Sequence, residues 1–181
     1  GVTLSVPEVA RHAEALLRAS GERRPVGTPY RQLNPKGEVM FWYPLLVNGY
    51  RFFGGACSDQ FWFMGHSGKF IEYHAAADPP PVNASTPKID QKTALARVKT
   101  LMEEQRRDAA RKGFGEVVYS GNPSFDLGYY VPEKETQGRL TWRVTVQSEL
   151  RSQFASRPWN GIFLIDAVTG DQIHFTVVPT P

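Results

Sequence analysis

The side chains able to do chemistry in this chain are few and far apart. Cys57 is the only cysteine, and His66 follows it. A thiol and an imidazole can act as nucleophile and base if a third group orients the histidine. No such third residue can be picked out, and Cys57 sits on no strand-to-helix elbow, so it reads as a small buried hydrophobe. His66 and His74 flank one predicted strand, but two imidazoles without a third ligand make an incomplete zinc set. His12, His66, His74 and His174 never form a His-Glu-x-x-His pair. Gly-x-Ser-x-Gly is absent. Gly54-Gly55 and Gly113-Phe114-Gly115 lack the strand–loop–helix setting of a phosphate loop. Asn83-Ala84-Ser85 matches a glycosylation sequon, which matters only in a eukaryotic secretory setting. The expectation is therefore no enzyme: no catalytic residue, no cofactor and no metal. An enzyme built on Cys57 or on a His66/His74 metal site is the alternative from that class.

Aromatic residues suggest recognition instead. Phe41-Trp42-Tyr43 and Phe61-Trp62-Phe63 are consecutive triplets on predicted strands, so alternation sends part of each triplet to the outer face. Phe41, Tyr43, Phe61 and Phe63 are the candidate interaction surface, since aromatics favour protein interfaces. The competing reading packs outer aromatics between two halves of the chain. Exposed antiparallel edges offer a further route, strand addition by an extended peptide.

These residues need a scaffold, and composition allows one. The chain has 181 residues, 41% of them hydrophobic and 12% aromatic, enough for one ordinary domain or two small ones. Its net charge of +3 comes from mixed basic and acidic residues without a basic stripe, which argues against nucleic-acid binding. One cysteine permits no intrachain disulfide. No apolar run approaches the ~18 residues of a membrane span. The chain opens Gly1-Val2-Thr3-Leu4-Ser5 without signal-peptide architecture. Beginning at glycine, it is expected to be trimmed, with an export signal or anchor removed.

Along the chain, Ser5 and Glu8 form a capping box with Pro7 in the first turn, and Val6, Val9, Ala13, Leu16 and Leu17 follow at helical spacing up to Gly21. Strands are expected at Tyr30 to Leu33, Val39 to Val47 (broken by Pro44 and so an edge or bulged strand), Tyr50 to Phe53 after an Asn48-Gly49 hairpin, Asp59 to Met64, and Lys69 to His74. A proline-rich linker occupies 77–87. Asp90 then caps a second helix carrying Ala94, Leu95, Val98, Leu101 and Met102, with Gly113 and Gly115 past its end. Strands follow at Glu116 to Ser120, Phe125 to Val131, Gly138 to Gln147, Gly161 to Ala167 and Gln172 to Val178. Asp166 is expected to accept backbone N–H bonds and Gly170 to take positive φ, closing the last hairpin.

The second half resembles the PepSY domain, known from propeptides of thermolysin-type metalloproteases. The likeness is carried by the helix with Ala94, Leu95 and Val98, by Leu127-Gly128-Tyr129-Tyr130-Val131-Pro132, by Arg139-Leu140-Thr141-Trp142-Arg143-Val144, and by Ile165-Asp166-Ala167-Val168-Thr169-Gly170-Asp171-Gln172-Ile173. It departs at Glu149 to Asn160, a longer and more polar insertion. In the first half, Val47 to Gly55 and Gly68 to Ile71 are similar either to the segment that precedes PepSY in those propeptides or to a diverged second copy.

The expected organisation is α+β, with two tandem PepSY-like units, each one helix packed on an antiparallel β-meander. Residues 1–76 form the first unit, 77–87 the linker and 88–181 the second. The resemblance implies a non-catalytic, extracytoplasmic binding module, secreted or associated with the cell envelope of a bacterium. Its partner would be a protein, and a peptidase that it inhibits or regulates is the candidate the resemblance suggests. The alternative is a sensory or scaffold domain of a larger envelope protein. Trp142, Asp166, Thr169 and Gly170 are structural motif residues, and the working surface is expected on the aromatic strands or in the 149–160 insertion.

Overall fold

A computed structural model describes residues 5–34, 37–53, 57–64, 67–151 and 156–179. The chain divides into two compact units, Gly1–Pro80 and Pro81–Pro181.

Unit 1 begins with helix α1 (Val6–Ala19), which starts where the sequence says it must. The Ser5 N–H donates to Glu8 Oε2 at 2.7 Å, and Pro7 costs the first turn nothing because its missing N–H would be unpaired there. These bonds from Ser5 hold the Glu8 carboxyl below its ordinary value. Strands β1 (Tyr30–Leu33), β2 (Glu38–Pro44), β5 (Ser58–Met64) and β6 (Phe70–His74) form an antiparallel sheet in the order β1-β2-β5-β6. Between β2 and β5 the chain makes a separate two-stranded ribbon, β3 (Leu46–Val47) and β4 (Tyr50–Arg51). Asn48 and Gly49 both take positive φ, 51° and 82°, at its turn, the conformation whose twist suits a two-residue hairpin.

Val9 and Ala13 of α1 pack on Val39, Phe41 and Tyr43 of β2 and on Phe61 and Phe63 of β5. The period of two places Met40, Trp42, Gln60 and Trp62 on the opposite face.

Unit 2 contains helix α2 (Gln91–Arg111) and the long strands β7 (Glu116–Tyr130), β8 (Arg139–Arg151), β9 (Ser156–Asp166) and β10 (Gln172–Pro179), ordered β10-β9-β8-β7. Asp90 Oδ1 accepts from the Thr93 N–H at 2.7 Å and caps α2. Val98 and Leu101 then lie on Val144, Val146, Phe163 and Ile165, with Trp142, Phe125 and Phe175 at the margin.

The expected pair of tandem helix-on-meander units is corrected by this architecture. Strands dominate, with ten strands against two helices, and they form three sheets rather than two among the described residues. Pro44 is the reason in the first half. It has no N–H to give, and β2 ends at this residue. Leu45 then donates to the Cys57 carbonyl, and Leu46 to the carbonyl of Pro25. The run from Val39 to Val47 is thus two strands in different sheets, and β2 lies inside its sheet rather than at an edge.

Two further expectations change. Glu116 to Ser120 and Phe125 to Val131 join into β7, which bulges between Ser120 and Ser124, where Pro123 stands. The polar insertion from Glu149 is mostly strand, because β8 and β9 stay paired out to Arg151 and Ser156.

Hydrogen bonds hold the proline-rich stretch at both ends. Within unit 1, the Ala76 N–H donates to Asp59 Oδ1 at 3.1 Å, and Arg24 reaches the Ala76 carbonyl and Asp78. Within unit 2, Val82 bridges Gly138, and Asn83 Oδ1 accepts from the Leu140 N–H at 2.9 Å. The Tyr129 hydroxyl also donates to the Ala84 carbonyl at 2.8 Å.

Candidate functional site

Cys57 is buried, and burial pushes its thiol above the ordinary value, which leaves little thiolate for nucleophilic attack. His66 lies outside the described residues. His74 is half exposed, 3.2 Å from Glu72 Oε1, with its ring 6.0 Å from that of Trp62. Among the described residues no three His, Cys, Asp or Glu side chains come together as a metal site. No described helix is long and apolar enough to cross a membrane.

The candidate surface Phe41, Tyr43, Phe61 and Phe63 is corrected, since all four are buried under α1. Their rings meet edge to face: Phe41 with Phe63 at 6.0 Å, and Tyr43 with Phe61 at 5.7 Å. Burial pushes the Tyr43 hydroxyl up to about 12. Alternation was the right rule, but it had no means of saying which member of each triplet faces the helix.

Apart from Leu33 on β1, the exposed large apolar side chains described in unit 1 lie on β6. Phe70, Ile71 and Tyr73 of β6 are 41%, 38% and 37% exposed. β6 is the last strand of its sheet, paired with β5 on one side only among the described residues. Beside it, a cleft of about 310 Å³ is lined by His12, Ala15 and Leu16 of α1 and by Phe63, Gly68 and Phe70.

A buried carboxylate holds that edge in place. Asp59 on β5 is fully buried, and its Oδ1 accepts from the Tyr73 hydroxyl at 2.6 Å as well as from the Ala76 N–H. Burial, and then the bond to Asp59, raise the Tyr73 hydroxyl above its ordinary value. Asp59 Oδ2 is buried without a hydrogen-bond partner among the described residues. Nearby, hydrogen bonds from Arg24 lower Glu22 to about 2.

In unit 2 the motif residues meet at the β9–β10 turn. Asp166 Oδ1 accepts from the N–H groups of Val168 and Thr169 at 2.8 and 3.0 Å, while Arg139 Nη1 lies 3.5 Å from Oδ2. Gly170, at φ 83°, donates to the Asp166 carbonyl, and the Thr169 hydroxyl oxygen accepts from the Asp171 N–H. Trp142 donates its indole N–H to the Ile89 carbonyl at 3.1 Å, tying β8 to the approach of α2. Every one of these bonds is spent inside the unit, which is the behaviour of a scaffold.

No family model matches the chain, and no curated protein matches it. Among solved structures, the Bacillus megaterium YpeB C-terminal domain is similar at 12% identity, over 99% of this chain and 68% of that one, with a TM-score of 0.49.

Proposed function

We propose that this chain is a non-catalytic, extracytoplasmic protein-binding module of PepSY type, and that its partner is a peptidase it inhibits or regulates. The observation that carries the reading is the run Ile165 to Ile173, the most specific part of the resemblance, in which Asp166, Thr169 and Gly170 all serve the turn itself. Residues committed to architecture leave recognition to surfaces elsewhere. The buried thiol of Cys57, held above its ordinary value, also suits packing better than attack.

The test is titration of the purified chain into thermolysin-type metallopeptidases from the same source. The expected result is a fall in peptidase activity that saturates near equimolar chain. Unchanged activity at large molar excess removes the peptidase reading.

A further inference from the structure

We propose that Asn48-Gly49, at the tip of the β3–β4 ribbon, is a self-modification site, where the Asn48 side-chain amide is lost as ammonia and a carboxylate takes its place. By residue type alone the chain offers two such sites, and the fold selects between them. Asn34 and Asn122 precede prolines, whose nitrogen has no proton to lose. Asn83 precedes Ala84, whose methyl crowds the attacking nitrogen. Asn48 and Asn160 precede Gly49 and Gly161, which have no Cβ to do so.

The reaction needs only the chain and water. The Gly49 main-chain nitrogen gives its proton to solvent base and attacks Cγ of Asn48. The bond from Cγ to Nδ2 breaks, and Nδ2 takes up a proton and leaves as ammonia. Water then opens the five-membered imide. Cleavage at Cγ leaves aspartate, and cleavage at the main-chain carbonyl carbon leaves isoaspartate, with an extra carbon in the main chain. Either route consumes one water, releases one ammonia and adds one negative charge.

Ring closure requires the side chain to swing over the next main-chain nitrogen, so its rate follows local opening of the backbone. Asn48 and Gly49 are exposed, and they join strands of only two residues each. Asn48 is also the one non-glycine residue at positive φ among the described residues. A Cβ built on Gly49 would meet nothing within 4 Å, so there is room around the nitrogen. Asn160 and Gly161 lie instead in β9, paired with Gln147 and Val146 of β8 and with Val178 and Val177 of β10. Gly161 is buried, and a Cβ there would meet Trp159 at 3.1 Å and Phe175 at 3.4 Å. Opening that site means parting the middle of a sheet. The two products at Asn48 also differ: Asp-Gly suits the same two-residue turn, whereas the extra carbon of isoaspartate breaks the spacing between Val47 and Tyr50.

The test is peptide mapping by mass spectrometry after incubation of the intact chain in mildly alkaline buffer, with isoaspartate separated by chromatography. Conversion at Asn48 is expected at least tenfold faster than at Asn160 in the folded chain, and within about threefold of it in guanidinium, where both backbones are open. Asn48→Gln should abolish the fast conversion, because its ring would need six members, and leave Asn160 unchanged. Amide exchange over residues 46–51 should speed up in the isoaspartate fraction and stay normal in the aspartate fraction. Equal rates at the two sites in the folded chain, or a faster Asn160, overturns the proposal. So does an Asn48 that stays intact while the unfolded chain converts, since the turn then protects the site. A tenfold preference that persists in guanidinium also overturns it, because neighbouring residues rather than the fold would then choose the site.

Discussion

Two buried aspartates, Asp59 in unit 1 and Asp166 in unit 2, do comparable work over different distances. Asp166 takes the N–H groups of Val168 and Thr169, residues just ahead of it, and turns its second oxygen toward Arg139. Asp59 takes the Tyr73 hydroxyl and the Ala76 N–H, which reach it only because β6 lies beside β5. Its second oxygen has no partner among the described residues. One aspartate makes a turn, whereas the other fastens an edge strand and the chain leaving it. The contrast teaches that the carboxylate with the clearer signature need not be the one on which more structure depends.

The largest effect should come from Asp59→Ala. It leaves a buried N–H and a partly buried hydroxyl without their acceptor, at a cost of about 3 kcal/mol, read as a lower urea midpoint for unit 1. Asp166→Ala should cost less, about 2 kcal/mol, because Thr169 is exposed and water can take over part of the bonding. Faster hydrogen exchange confined to residues 166–172 would mark it. If Asp166→Ala proves the more damaging, the comparison is inverted and the turn matters more than the edge.

Gly170→Ala comes next. The added methyl meets nothing closer than Ile89 Cδ1 at 4.0 Å, so the expected loss of about 1–2 kcal/mol is purely the backbone cost of a side chain at positive φ. A normal hydrogen-exchange pattern with a lowered Tm would agree; a disrupted β9–β10 hairpin would not. Asp59→Asn sharpens the contrast further. It retains an acceptor for Ala76 and removes a charge whose second oxygen was unpaired, so its cost should stay below about 1 kcal/mol. A loss as large as that of Asp59→Ala would show that the charge itself is needed.

The smallest effect should be that of pH on the Arg24 clasp. Glu22 has its carboxyl lowered from 4.5 to about 2 by hydrogen bonds from Arg24. A depressed carboxyl contributes its stability above the ordinary value and loses it as pH falls through the folded one. Protection of the Ala76 region in hydrogen exchange should therefore be constant above about pH 4.5 and decline toward pH 2. In Arg24→Ala the decline should flatten, and an unchanged profile in that variant would assign the pH dependence to another group.

Much of unit 2 was legible because its signals are local. Asp90 caps α2 three residues from its bonded N–H, and Asp166 and Gly170 close a turn from within it. Unit 1 was harder to read. Pro44 signalled a break, but whether the chain continued as an edge or left the sheet depended on which carbonyls Leu45 and Leu46 found. The aromatic triplets showed alternation without a sense of inside and outside, so Phe41, Tyr43, Phe61 and Phe63 were read as surface when α1 covers them.

By itself, the amino-acid sequence determined where helices start, where hairpins turn and which residues alternate, since each depends on neighbours a few positions away. Only the tertiary structure decided that β6 is an open edge beside a cleft and that Asp59 anchors it. Strand order and burial depend on contacts between residues far apart in the chain, and no local pattern of residue types encodes those. The turn within Ile165 to Ile173 therefore announces itself in its own residues, while β6 becomes an edge through contacts that no single run of residues announces.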